Sequence, residues 1–165
     1  MNSIQDDVDN LVAQWAKEKP QLDTVPMAIL GRMMRLFKHI EADISACHKQ
    51  FGLTMGEFDV LATIRRNGEP YSLTPSDLLS SMMLTSGAMT NRVDKLESKG
   101  LIERTHCTQD RRSVKVALTA EGLGLIDKAV EAHVAIQQQL TQGLSAEDKV
   151  LLNTLFKQWL LQFEP

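Results

Sequence analysis

The chain has 165 residues, 43% of them hydrophobic and 24% charged, which are the proportions of one soluble globular domain with a core of ordinary size. No run approaches the roughly 18 apolar residues of a membrane-spanning helix. The acidic start MNSIQDDVDN predicts neither a secretory signal nor a transit peptide, and the two distant cysteines, Cys47 and Cys107, form neither a disulfide framework nor a metal site. The expected compartment is therefore a reducing cytoplasm, with no membrane partner. The net charge of −3 hides a segmental pattern: residues 84–116 carry seven Lys/Arg against four acids, while residues 1–28 carry five acids against two lysines and residues 117–165 six acids against three. Local potential, not the whole-chain sum, sets a DNA footprint, so a nucleic-acid partner stays open.

In chain order, Ser3 is placed to cap a first helix, with Ile4, Val8, Leu11, Val12 and Trp15 at helical spacing. Pro20 and Pro26 bracket a break. A long helix follows, with Leu30, Met33, Met34, Phe37, Ile40, Ile44 and Cys47 on one face and Gly52 as its end. Thr54 and Glu57 form a capping box for the next helix, which Asn67-Gly68-Glu69-Pro70 stops. Thr74-Pro75-Ser76-Asp77 opens a short helix, Leu84-Thr85-Ser86-Gly87 is a turn, and a second helix covers about 86–99 before Gly100. Two short helices joined by a tight turn predict a helix-turn-helix. The period then changes to two: residues 101–107 and 114–118 read as strands around the polar turn 108–112, a hairpin wing. Thr119 caps a long helix bearing Ile126, Val130, His133 and Leu140, which Gly143 stops. Ser145 and Asp148 cap the last helix, whose Leu151, Leu152, Leu155, Phe156, Trp159, Leu160 and Phe163 span too wide an arc for one neighbour and predict burial against a second chain.

On the 86–99 helix, Met89, Val93 and Leu96 mark the buried face, and Gly87, Ala88, Thr90, Asn91, Asp94 and Lys95 point away, those near the N-terminus being small or hydrogen-bonding. Such a face can sink into a major groove. Thr90 and Asn91 would address base edges, Lys95 would lie beside them, and Thr85 and Ser86 would meet phosphate at the positive helix end. Arg111 and Arg112 at the wing tip suit a narrow minor groove, with Asp110 holding Arg112 in orientation.

Leu73-Thr74-Pro75-Ser76-Asp77-Leu78, the helix through Asn91, Asp110-x-Arg112 and Leu118-Thr119-x-x-Gly122 together resemble the MarR family of bacterial winged helix-turn-helix regulators, over about residues 27–165. The resemblance implies a mainly α protein with a small β-hairpin wing. It implies an obligate homodimer assembled through helices at 27–52 and 119–165, a DNA-binding part at 54–118 and an extra helix within 1–19. Such a protein reads a pseudo-palindromic double-stranded operator and is not an enzyme.

Three charges are unexplained by DNA binding. Arg92 flanks the buried face of its helix, Asp59 flanks another, and Arg104 shares a strand side with Ile102 and His106. An ion-pair cluster docking the reading head is the plain interpretation. The chain also resembles the urate-responsive HucR/PecS-type branch of the family, which implies a ligand set of Trp15, Asp59, Arg92 and Arg104 and a repressor released by urate or a similar anionic purine. A phenolic or aromatic acid would satisfy the same arginines. The alternatives are control by oxidation of Cys47 or Cys107, a winged helix used only for protein contacts, and catalysis, for which no motif is present. No cofactor or metal is expected.

Overall fold

The computed structural model describes residues 5–82, 89–106 and 114–164. Thr85, Ser86, Gly87, Asp110, Arg111, Arg112 and Cys107 therefore lie outside the described residues. The chain divides into two compact units, residues 1–43 and 44–165.

In the first unit, α1 (Asp7–Glu18) is capped by Asp6 and not by Ser3, a correction to the sequence reading. Asp6 Oδ1 accepts from Val8 N and Asp9 N, and Asp9 returns a bond to Asp6 N, so the box lies one turn later than expected. The same carboxylates bind Arg32 on α2 (Val25–Lys49), at 2.8 Å from Asp6 and 2.6 Å from Asp9, and Asp7 pairs with Arg35. The Arg32 guanidinium, together with the backbone N–H of Asp9, holds the Asp6 carboxyl down at about 2. The acidic start of the chain is thus partly matched inside its own unit. Asp23 caps the start of α2 by accepting from Val25 N.

The second unit contains the end of α2, α3 (Met55–Arg66), β1 (Ser72–Leu73), α4 (Pro75–Ser81), α5 (Met89–Ser98), β2 (Ile102–His106), β3 (Val114–Leu118), α6 (Ala120–Leu140) and α7 (Ala146–Leu160). The strands form an antiparallel sheet in the order β1-β3-β2, with Arg104 opposite Val116 and Leu73 opposite Val116 from the other side. The hairpin was expected; β1 was not, because two residues cannot display an alternating period.

The core is built around α3, whose Phe58, Val60, Leu61 and Ile64 meet Leu78, Val93, Leu96, Leu101, Ile102, Val116 and Ile126. Caps fix the helix starts as expected at Thr54, Thr74, Thr119 and Ser145. Thr119 also explains the Leu-Thr-x-x-Gly spacing. Its hydroxyl accepts from Gly122 N and donates to Gly100 O, while Gly122 rests on the Leu101 carbonyl, where any Cβ would collide. α6 closes at Leu140, with Thr141 N bonded to Gln137 O, three residues before the Gly143 that was expected to end it.

Candidate nucleic-acid interface

α5 separates its faces as its sequence requires. Val93 and Leu96 are buried and Met89 packs on the core, so Thr90, Asn91 and Lys95 are left exposed on the opposite arc. These are the three expected DNA contacts that fall within the described residues.

The flanks of the helix are held by charge. On one flank, the half-buried Arg92 side chain crosses the first turn of α3. A methyl group added at Gly56 would lie 2.8 Å from Arg92 Cζ and 3.0 Å from Cδ, so the passage exists because residue 56 has no side chain. Asp59, 7% exposed, lies three residues beyond Gly56 on the same face of α3. Two helical turns after Arg92, Lys99 Nζ donates to Glu57 Oε1 at 2.8 Å and to Gly52 O at 2.9 Å. Burial pushes the Glu57 carboxyl up, but the bonds from Lys99 and Thr54 outweigh it and hold the group below its ordinary value.

On the other flank, Arg104 of β2 bonds Asp94 through Nη2 and Glu97 through Nη1, and its backbone N–H donates to Glu97 Oε1 at 3.3 Å. The Asp94 bond, with Glu97 beside it, raises the Arg104 guanidinium further above its ordinary range. At about 100° per residue, Glu97 stands about 140° round α5 from Arg92. The two arginines that the resemblance assigned to one ligand therefore contact α5 and its surroundings on different flanks. Trp15 lies on α1 in the other unit, 40% exposed.

A group missed in the sequence lies where α2, α3 and α6 supply His48, Phe58 and His133. His48 is buried, stacked on Phe58 at 3.9 Å, and its Nε2 lies 3.1 Å from His133 Nδ1. Desolvation, with the neighbouring His133, pushes His48 down to about 4, and burial lowers His133 as well. No local spacing pairs the two histidines, which are 85 positions apart. Cys47 is buried. Among the described residues no cluster of metal-ligating side chains occurs, and no helix is long and apolar enough to cross a membrane.

A family model described as the MarR family matches residues 53–114, the segment that runs from α3 through α5 and β2 to the start of β3. The transcriptional regulator PecS of Dickeya dadantii is 37% identical over 149 residues, 90% of each chain. The chain belongs to the MarR family. Members of this family are DNA-binding transcriptional regulators and not enzymes. A MarR variant from Escherichia coli, solved in complex with operator DNA, is similar at a TM-score of 0.68 and 26% identity, covering 88% of this chain and 97% of that one. BpsR of Bordetella bronchiseptica, whose DNA binding is regulated by 6-hydroxynicotinic acid, shares the fold at a TM-score of 0.68 and 22% identity, covering 78% and 90%.

Proposed function

We propose that this MarR-family chain is a homodimeric cytoplasmic repressor that reads a pseudo-palindromic operator and releases it on binding urate or a similar anionic purine. The observation that carries the reading is the division of labour on α5. Its outer arc offers Thr90, Asn91 and Lys95, while Arg92, on the inner flank, lies against α3 at Gly56, three residues before the buried Asp59. A planar anion reaching the inner flank of α5 would give Arg92 a bidentate partner and repel Asp59. Moving Arg92 off α3, or Arg104 off Asp94 and Glu97, changes how α5 is held. DNA affinity then falls by the ligand's differential affinity for the two arrangements, typically about 1–3 kcal/mol. Dimerisation is supported by α7, which has no buried residue and exposes Leu151, Leu155, Phe156 and Leu160.

Calorimetry with urate on the wild type and on Arg92→Ala tests the ligand. The expected result is micromolar-range binding lost in the variant; equal affinity in both removes Arg92 from the site. A second reading, an aromatic acid as effector, is favoured by the shared fold with BpsR and its 6-hydroxynicotinic acid. A thermal-shift panel of purines and aromatic acids separates the two, because only a ligand that prefers the folded protein raises its melting temperature. Control by oxidation of Cys47 is disfavoured by the burial of that thiol.

A further inference from the structure

We infer that Arg104 is a positioning residue for DNA reading, tying strand β2 of the hairpin to the reading helix α5 through Asp94 and Glu97 so that both meet DNA as one body. The inference rests on α5 being the DNA-reading helix. Asp94 and Glu97 are three residues apart and therefore neighbours on one side of that helix. The planar fork of Arg104 spans them, one nitrogen to each carboxylate, a bridge that a single ammonium on a flexible stem would not hold in the same orientation. Glu97 accepts from the backbone N–H of residue 104 as well as from its side chain, so the contact fixes the strand itself and not only the tip of a long surface side chain. A lone surface ion pair contributes little; this one has two carboxylates and a main-chain bond.

Electrostatics gives a second reason. Asp94 is more than half exposed, on the solvent arc that also carries Asn91 and Lys95. Left unmatched, it would oppose phosphate. Arg104 offsets that charge where it stands. With Lys99, the residue that follows α5, bonded to the buried Glu57 on the opposite flank, α5 is gripped from two sides: by α3 through the ammonium at its C-terminal end, and by β2 through the anions it carries itself.

The inference has a sign that simple charge counting does not share. Removing a carboxylate from a DNA-binding face strengthens binding to any duplex if charge alone matters. The experiment measures affinity by fluorescence anisotropy over a salt series. The probes are a duplex selected by the wild-type protein from a random pool and a scrambled duplex of the same composition. Glu97→Gln is expected to weaken binding to the selected duplex about tenfold while leaving the scrambled duplex unchanged or tighter, and Arg104→Ala to lower the ratio of the two affinities similarly without changing the salt slope. Asp94→Asn, farther from the buried edge of α5, repeats the test where the fold is least involved. The proposal is overturned if the two carboxylate variants bind the selected duplex as tightly as the wild type or more tightly. It is also overturned if Arg104→Ala weakens both duplexes equally and reduces the salt slope by about one, the mark of a phosphate contact. A wild-type protein that selects no duplex at all sinks the DNA reading itself, a distinguishable failure.

Discussion

Helices α3 and α7 are both short, capped by the same Ser/Thr-x-x-acid box and carry large apolar side chains among polar ones, yet they end in opposite environments. Eight of the twelve residues of α3 are buried, including the polar Glu57, Asp59 and Thr63; none of the fifteen in α7 is. Helix propensity and capping are therefore silent on what a helix is for. α3 is enclosed because α4, α5, α6 and β3 pack on it within one protomer. α7 carries an apolar face of the same chemistry that its own unit does not cover, and a second copy is the cover that we propose.

The sharpest way to break this comparison is to change one apolar side chain in each helix. Phe156→Asp should abolish dimers at micromolar concentration in sedimentation analysis, since each buried aromatic or leucine side chain contributes about 1.5–3 kcal/mol in each protomer and a buried carboxylate opposes assembly further. Persistence of the dimer would assign another role to the face. Leu61→Ala, in the enclosed helix, should cost about 2–5 kcal/mol of unfolding free energy in denaturant titration, through the cavity it leaves. That loss concerns the protomer core, so it should appear equally in a dimer-deficient background.

A smaller effect is expected where α6 begins. Gly122→Ala places a Cβ against the Leu101 carbonyl, a backbone atom that cannot swing aside. The cost should be about 1–3 kcal/mol, as for other overpacked sites. A melting temperature unchanged from wild type would show that the start of α6 shifts without strain.

The smallest and most specific effect is one of pH. His48 and His133 are both lowered by burial, His48 from 6.5 to about 4. Between those values the unfolded chain binds more protons than the folded one, so stability is complete above about 6.5 and is lost as pH falls toward 4. His48→Leu should flatten the pH dependence of the denaturation midpoint across that window. A profile as steep as the wild type's would mean that other groups carry the acid sensitivity.

Much of the fold is legible in the residues taken locally. Thr54, Thr74, Thr119 and Ser145 each cap the helix expected of them, the change of period after Gly100 marks the hairpin, and Val93 and Leu96 identify the inner face of α5. Where the reading misplaced a boundary, a stronger local partner was near: Asp6 caps α1 because Asp9 completes the box and Arg32 anchors both carboxylates. The site is less legible. Thr90, Asn91 and Lys95 follow from helical phase alone. The paths of the long charged side chains do not, since Arg92 crosses an opening left by a glycine on another helix and Arg104 reaches from its strand to Asp94 and Glu97 on α5.

The sequence by itself determined which segments form the helices and the β2–β3 hairpin, where most of them start, and which arc of α5 faces outward, because those depend on interactions within about four residues. Tertiary structure alone decided that Lys99 meets Glu57, 42 positions away, that His48 meets His133, 85 away, and that β1 exists. These pairings are created by the way separate elements cross, and no local period encodes a crossing.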